Sequence, residues 1–161
     1  MLIYITIIVA LISFVAPATA QAIDFDHPLV QEEVKTWNYQ MLLDCSLRYD
    51  ISVGVYEALA DDLSHFAAAI QKWDWAYKLH FGYAQVAALA QGVSAAELLD
   101  LYDKRMRAMI KPIDDARSVN NDAVADVILD YLDYAKRSCR PYIEELDTRL
   151  RSIERSFQKD D

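Results

Sequence analysis

Glycine and proline are scarce, with three and four residues in a chain of 161, and one of the prolines, Pro17, falls in an uncharged leader. So little turn chemistry excludes a β-sandwich built on many tight turns and makes helices the default. Cysteine is limited to Cys45 and Cys139, with no Cys-x-x-Cys pair, so neither redox catalysis nor covalent haem attachment is supported. Gly-x-Ser-x-Gly is absent, which removes the nucleophile on a sharp turn. Glu-x-x-His, the motif that di-iron bundles repeat on two helices, is missing too. Of the three histidines, His27, His65 and His80, only His65 has a potential ligand on its helical face, in Asp62-x-x-His65, which falls short of a metal centre. Met41, Met106, Met109 and His80 show no spacing that points to haem, and no cofactor is assigned. Asp61-Asp62 and Asp114-Asp115 point about 100° apart on a helix, so they read as solvent-facing rather than as acid–base pairs.

No charged side chain occurs before Asp24. Residues 1–20 run apolar from Leu2 to Val15 and finish Ala18-Thr19-Ala20, which reads as a cleavable signal peptide. Its apolar stretch of about 14 residues is shorter than the roughly 20 that span a bilayer, so no stable membrane insertion is expected after cleavage. The expected mature chain, residues 21–161, is the size of one domain. It holds all the charge, 16 basic against 25 acidic side chains for a net −9, which disfavours nucleic acid as a partner. Apolar residues make up 54%, ample for a core. The expected location is periplasmic or secreted, an oxidising compartment in which Cys45 and Cys139 are expected to pair as a disulfide.

Helical periodicity runs through the mature part. Asp26 is placed to cap a first helix, with Pro28 in its first turn, Phe25 stapled against Val30, and a stripe of Val30, Val34, Trp37, Met41 and Cys45 that ends near Arg48 to Asp50. The stretch from Ile51 to Ala90 would make a helix of about 60 Å if unbroken, so a break is expected at Asp61-Asp62-Leu63-Ser64, with Gly92 as the left-handed stop. Ser94-Ala95-Ala96-Glu97 is a capping box, and Pro112 is expected to kink or end the helix it starts near Lys111. In that helix Glu97, Asp100 and Asp103 precede Lys104, Arg105, Arg107 and Lys111, which complements the dipole and suggests the pairs Asp100–Lys104 and Asp103–Arg107. Asn121 or Asp122 caps the next helix, whose stripe is Val124, Ile128, Tyr131, Ala135 and Cys139. Pro141 starts a last one carrying Ile143, Leu146, Leu150, Ile153 and Phe157. Both cysteines fall at the C-terminal ends of their expected helices. Those helices should then run parallel with three helices between them, which ties the disulfide to the break near Asp62.

These readings define an all-α protein: a disulfide-closed helical bundle of five or six helices behind a signal peptide. In the segment Lys72 to Tyr83, Trp73, Tyr77 and Phe81 follow one face while Trp75, Leu79 and Tyr83 follow another, so this helix is either central and buried nearly all round or carries an exposed aromatic ridge as the candidate partner or ligand surface. The expected activity is binding of an exported or envelope protein, as an inhibitor or immunity-type protein, rather than catalysis. The alternative is a carrier of a small apolar ligand or cofactor in a cleft lined by Tyr77, Phe81, Met106 and Tyr131. The leader, Trp37 and Cys45 on the first helix and the late Cys139 loosely resemble exported helical immunity proteins that neutralise periplasmic cell-wall amidases. That resemblance covers those points and not the sequence between them; the binding role of Trp73, Trp75 or Tyr77 comes from this chain's own residues.

Overall fold

The computed structural model describes residues 23–59 and 67–157, so the leader, the proposed helix break at Asp61 to Ser64, His65 and the charged tail lie outside the described residues. Six α-segments occur among the described residues and no strand: α1 Pro28–Lys35, α2 Tyr39–Leu59, α3 Ala67–Ala90, α4 Ala95–Arg117, α5 Asn121–Tyr134 and α6 Arg140–Phe157. A π-helical turn, Ala135–Cys139, joins α5 to α6, so the last two form one continuous rod and the described bundle has five. No described helix is long and apolar enough to cross a membrane.

The first expected helix is two helices. Asn38 competes for the backbone: its side chain accepts the Met41 amide at 3.0 Å, capping α2, while its own amide donates to the Tyr142 hydroxyl at 2.7 Å. The α1 cap is His27 rather than Asp26, through Nδ1 to the Leu29 amide at 3.2 Å, and Phe25 packs edge-on against Tyr83. The inward stripe survives the break, with Val30, Val34, Trp37 and Cys45 buried and Met41 packed beside the cysteines.

Helices α2 and α3 form the central antiparallel pair, with Tyr56 against Trp73 at one end and Trp37 against Tyr83 at the other. Small residues on α3, Ala76, Ala84, Ala87 and Ala88, are buried and permit close approach. Ser46 and Ser52, also buried, return their hydroxyls to the Leu43 and Arg48 carbonyls at 2.7 Å each, so neither is left unpaired. The α3 stop is a Schellman turn: Gly92 has φ +81°, Val93 donates to the Ala88 carbonyl at 2.9 Å and Gly92 to that of Leu89 at 3.0 Å. The Ser94–Glu97 capping box forms as its residues dictate.

Neither interior proline ends its helix, although Pro141 does fall in the first turn of α6 as expected. Helix α4 continues through Pro112 to Arg117, because Pro112 and Ala108, whose carbonyl it frees, lie on the exposed face where water reaches them. At Pro141 the rod continues as well, since widening to a π turn hands the Arg140 amide to the Ala135 carbonyl just before the residue that lacks a donor. The α5 cap falls on Asn120, which accepts the Ala123 amide at 2.8 Å, one residue before the expected position.

Cys45 and Cys139 are bonded, with Cα atoms 5.6 Å apart. The helices they join nevertheless run antiparallel: Asn38 meets Tyr142, Cys45 meets Cys139, and Ile51 packs with Val124 and Ile128. The expectation of parallel helices fails because neither cysteine sits at a helix end. Cys45 lies inside α2 and Cys139 in the middle of the rod, so the bridge spans a crossing and imposes no rule on how many helices intervene.

Candidate functional site

Helix α3 distributes its aromatic segment over three environments. Tyr83 is buried, tilted over Trp37 with ring centroids 5.0 Å apart, and loss of water pushes its phenol up to about 12. Trp73 is half-buried against Tyr56. Tyr77 and Phe81 stack at 5.9 Å, and Phe81 meets Tyr102 of α4 edge-on at 5.6 Å. Trp75 differs from all of these, with 44% of its surface open to solvent.

Around Tyr77 the three central helices assemble a polar relay. The Tyr102 hydroxyl donates to Asp50 of α2 at 3.1 Å, with the Tyr77 phenol close beside Tyr102. Burial raises the Asp50 carboxyl above the usual range; the Tyr102 bond opposes that shift, and the nearby Asp74 adds to it. The phenols of Tyr77 and Tyr102 are raised first by burial and then by the Asp50 charge. Asp74 and Tyr77 are one turn apart on α3, but Asp50 and Tyr102 are distant from them and from each other in sequence, so no local spacing signals the whole cluster.

Beside it, the distal halves of α2 and α3 enclose an open groove of 470 Å³ lined by Val53, Glu57, Ala67, Ile70, Gln71 and Asp74. Gln71 lies one helical turn before Trp75, so groove and exposed indole share one surface of α3. The four residues expected to line an apolar cleft are elsewhere. Tyr77 and Phe81 pack on each other, Tyr131 donates to the Met109 carbonyl at 2.6 Å beneath the Arg48 guanidinium, and Met106 fills space between two core clusters.

The basic run of α4 also acts at a distance. Among the described residues the pairs Asp100–Lys104 and Asp103–Arg107 do not form; Arg105 instead reaches Asp44 and bonds the Gln40 side chain at 2.8 Å and its carbonyl at 3.2 Å, clamping α4 to α2.

His80 is 2% exposed, tilted against Tyr49 with ring centroids 5.5 Å apart, and has a carbonyl at each ring nitrogen: Ala76 at 2.7 Å from Nδ1 and Cys139 at 3.5 Å from Nε2. A neutral ring has one N–H, and the shorter distance places it on Nδ1. Burial holds the pKa below the ordinary 6.5, against the two carbonyls that favour the cation. The unfolded chain therefore takes up a proton near pH 6.5 while the folded chain resists it. Stability is full above that pH, falls as pH drops below it, and levels off once the folded pKa is passed. Thermal midpoints measured from pH 8 to 5 should fall less for His80→Gln than for the native chain; equal slopes would remove His80 as the cause.

Among the described residues no three His, Cys, Asp or Glu side chains converge as metal ligands. Comparison of the chain with protein-family models, curated proteins and solved structures found no match.

Proposed function

We propose that the protein is exported and works by binding another exported or envelope protein, as an inhibitor or immunity-type factor, through the outward face of α3 around Trp75. The observation that carries this reading is the exposure of Trp75 on a helix whose other large aromatics are packed inward. Tryptophan is the residue most enriched among interface hot spots, and a rigid, half-open indole contributes contact area at little entropic cost. The uncharged leader and the Cys45–Cys139 bridge support an oxidising destination.

Affinity capture from periplasmic or secreted extract by the mature chain, repeated with Trp75→Ala, tests it. A hot spot costs about 2 kcal/mol or more on truncation, roughly a 30-fold loss of affinity. The thermal midpoint should barely move, because the side chain lies outside the core. Unchanged capture by the variant would remove this surface. A second reading, carriage of a small apolar ligand, draws on the apolar part of the groove at Val53, Ala67 and Ile70. Native mass spectrometry of freshly purified protein tests that one, and a ligand-free spectrum counts against it.

A further inference from the structure

The groove beside Trp75 has a chemistry of its own. Its apolar lining comes from Val53, Ala67 and Ile70, and its carboxylates from Glu57 and Asp74. Glu57 is exposed with no cationic partner among the described residues, and Asp74 shares a single ammonium, Lys78, at 2.7 Å. Behind them the half-buried Asp50 already feels the charge of Asp74. Among the described residues the charged side chains lining the groove are therefore the two carboxylates Glu57 and Asp74, on a chain that is −9 overall. A second copy of this acidic chain is a poor occupant, since like charges would be brought together. The complementary occupant has an apolar stem and a positive head, which is how lysine and arginine side chains lie on protein surfaces. The groove is open to solvent, and its volume of about 470 Å³ leaves room for one such side chain to lie along it.

Building on the protein-binding reading above, we infer that this groove receives a lysine or arginine side chain of the partner, its stem along Val53, Ala67 and Ile70 and its head between Glu57 and Asp74. Trp75, one turn beyond Gln71, then covers the adjoining part of the same partner segment. The partner is thus basic at its contact point; α3 supplies the exposed indole, and α2 and α3 together supply the selectivity for charge through Glu57 and Asp74.

Methyl-labelled protein titrated with a blocked pentapeptide bearing one arginine between leucines tests this, with the same peptide carrying neutral citrulline as control. The expected result is shifts centred on the Val53, Ala67 and Ile70 methyls that weaken at least ten-fold with citrulline. The pair Glu57→Gln with Asp74→Asn should weaken arginine binding likewise, whereas Asp126→Asn with Asp130→Asn, which removes equal charge from exposed positions of α5, should not. Equal weakening by both double variants would show bulk charge attraction and overturn the inference, as would shifts centred elsewhere or indifference to citrulline. Partner capture separates the two proposals. Loss of capture with Trp75→Ala but not with the groove variants retains the protein-binding reading and removes this one; capture unaffected by Trp75→Ala removes the former, while the peptide titration still decides the groove.

Discussion

Replacing Cys45 and Cys139 together by alanine lowers the unfolding free energy by about 4–5 kcal/mol, the chain-entropy value for a closed loop of 94 residues. Two features place the effect at the upper end of what a bridge contributes. The loop is long, so the reduced unfolded chain regains much freedom, and both cysteines are fully buried with Ala135 beneath Met41, Tyr49 and Tyr134. The bridge also ties α2 to the π turn, the one place where the α5–α6 rod departs from regular hydrogen bonding. Typical domains are stable by only about 5–15 kcal/mol, so the variant should sit close to its unfolding transition at 37 °C. Urea unfolding of the native chain with and without reductant, beside the double variant, measures this; a midpoint unmoved by reduction would show that the helix packing alone holds the fold.

Trp37→Ala should cost about 3–5 kcal/mol, the range for removing a buried tryptophan. Trp37 is 2% exposed, its ring lies over Tyr83, its indole donates to Glu33 at 3.2 Å, and its carbonyl accepts from the Gln91 side chain at 2.7 Å. It therefore holds together the turn between α1 and α2 and the C-terminal end of α3. Glu33 also pairs with Arg149 of α6, so the loss extends to the seam where α1 rests on the last helix. Equilibrium denaturation should show the fall in stability, and limited proteolysis should show new cleavage near residues 35–39. A loss below about 1 kcal/mol would mean that the site collapses around the cavity. Trp75→Ala, on the same chain, should leave stability nearly unchanged, so the two substitutions separate a core indole from a surface one.

Much of this architecture is legible in local spacing. The Ser94–Glu97 box and the Gly92 stop are decided within one turn of chain, where hydrogen-bond donors and acceptors of neighbouring residues settle the matter. The inward stripe through Val30, Val34, Trp37 and Cys45 is equally local, and it holds although the helix breaks at Asn38, because the break preserves which face is apolar. Proline is different. Whether Pro112 or Pro141 ends a helix depends on whether water or a wider turn takes the freed carbonyl, and that depends on which side of the helix faces the bundle. The basic run of α4 illustrates the same limit, since the pairs expected from local spacing, Asp100–Lys104 and Asp103–Arg107, do not form among the described residues, whereas Arg105 pairs with Asp44 on another helix.

Composition and periodicity alone determined that this chain is helical, because that follows from turn scarcity and the apolar repeat, and the uncharged leader with two cysteines led to the expectation of the bridge that the structure contains. Only the tertiary structure decided that the bridged helices run antiparallel, that Tyr83 lies inside while Trp75 lies outside, and that Asp50, Asp74, Tyr77 and Tyr102 come together. The physical reason is that a helix's own pattern says which residues share a face. Which face is covered, and by what, depends on how helices far apart in sequence pack together.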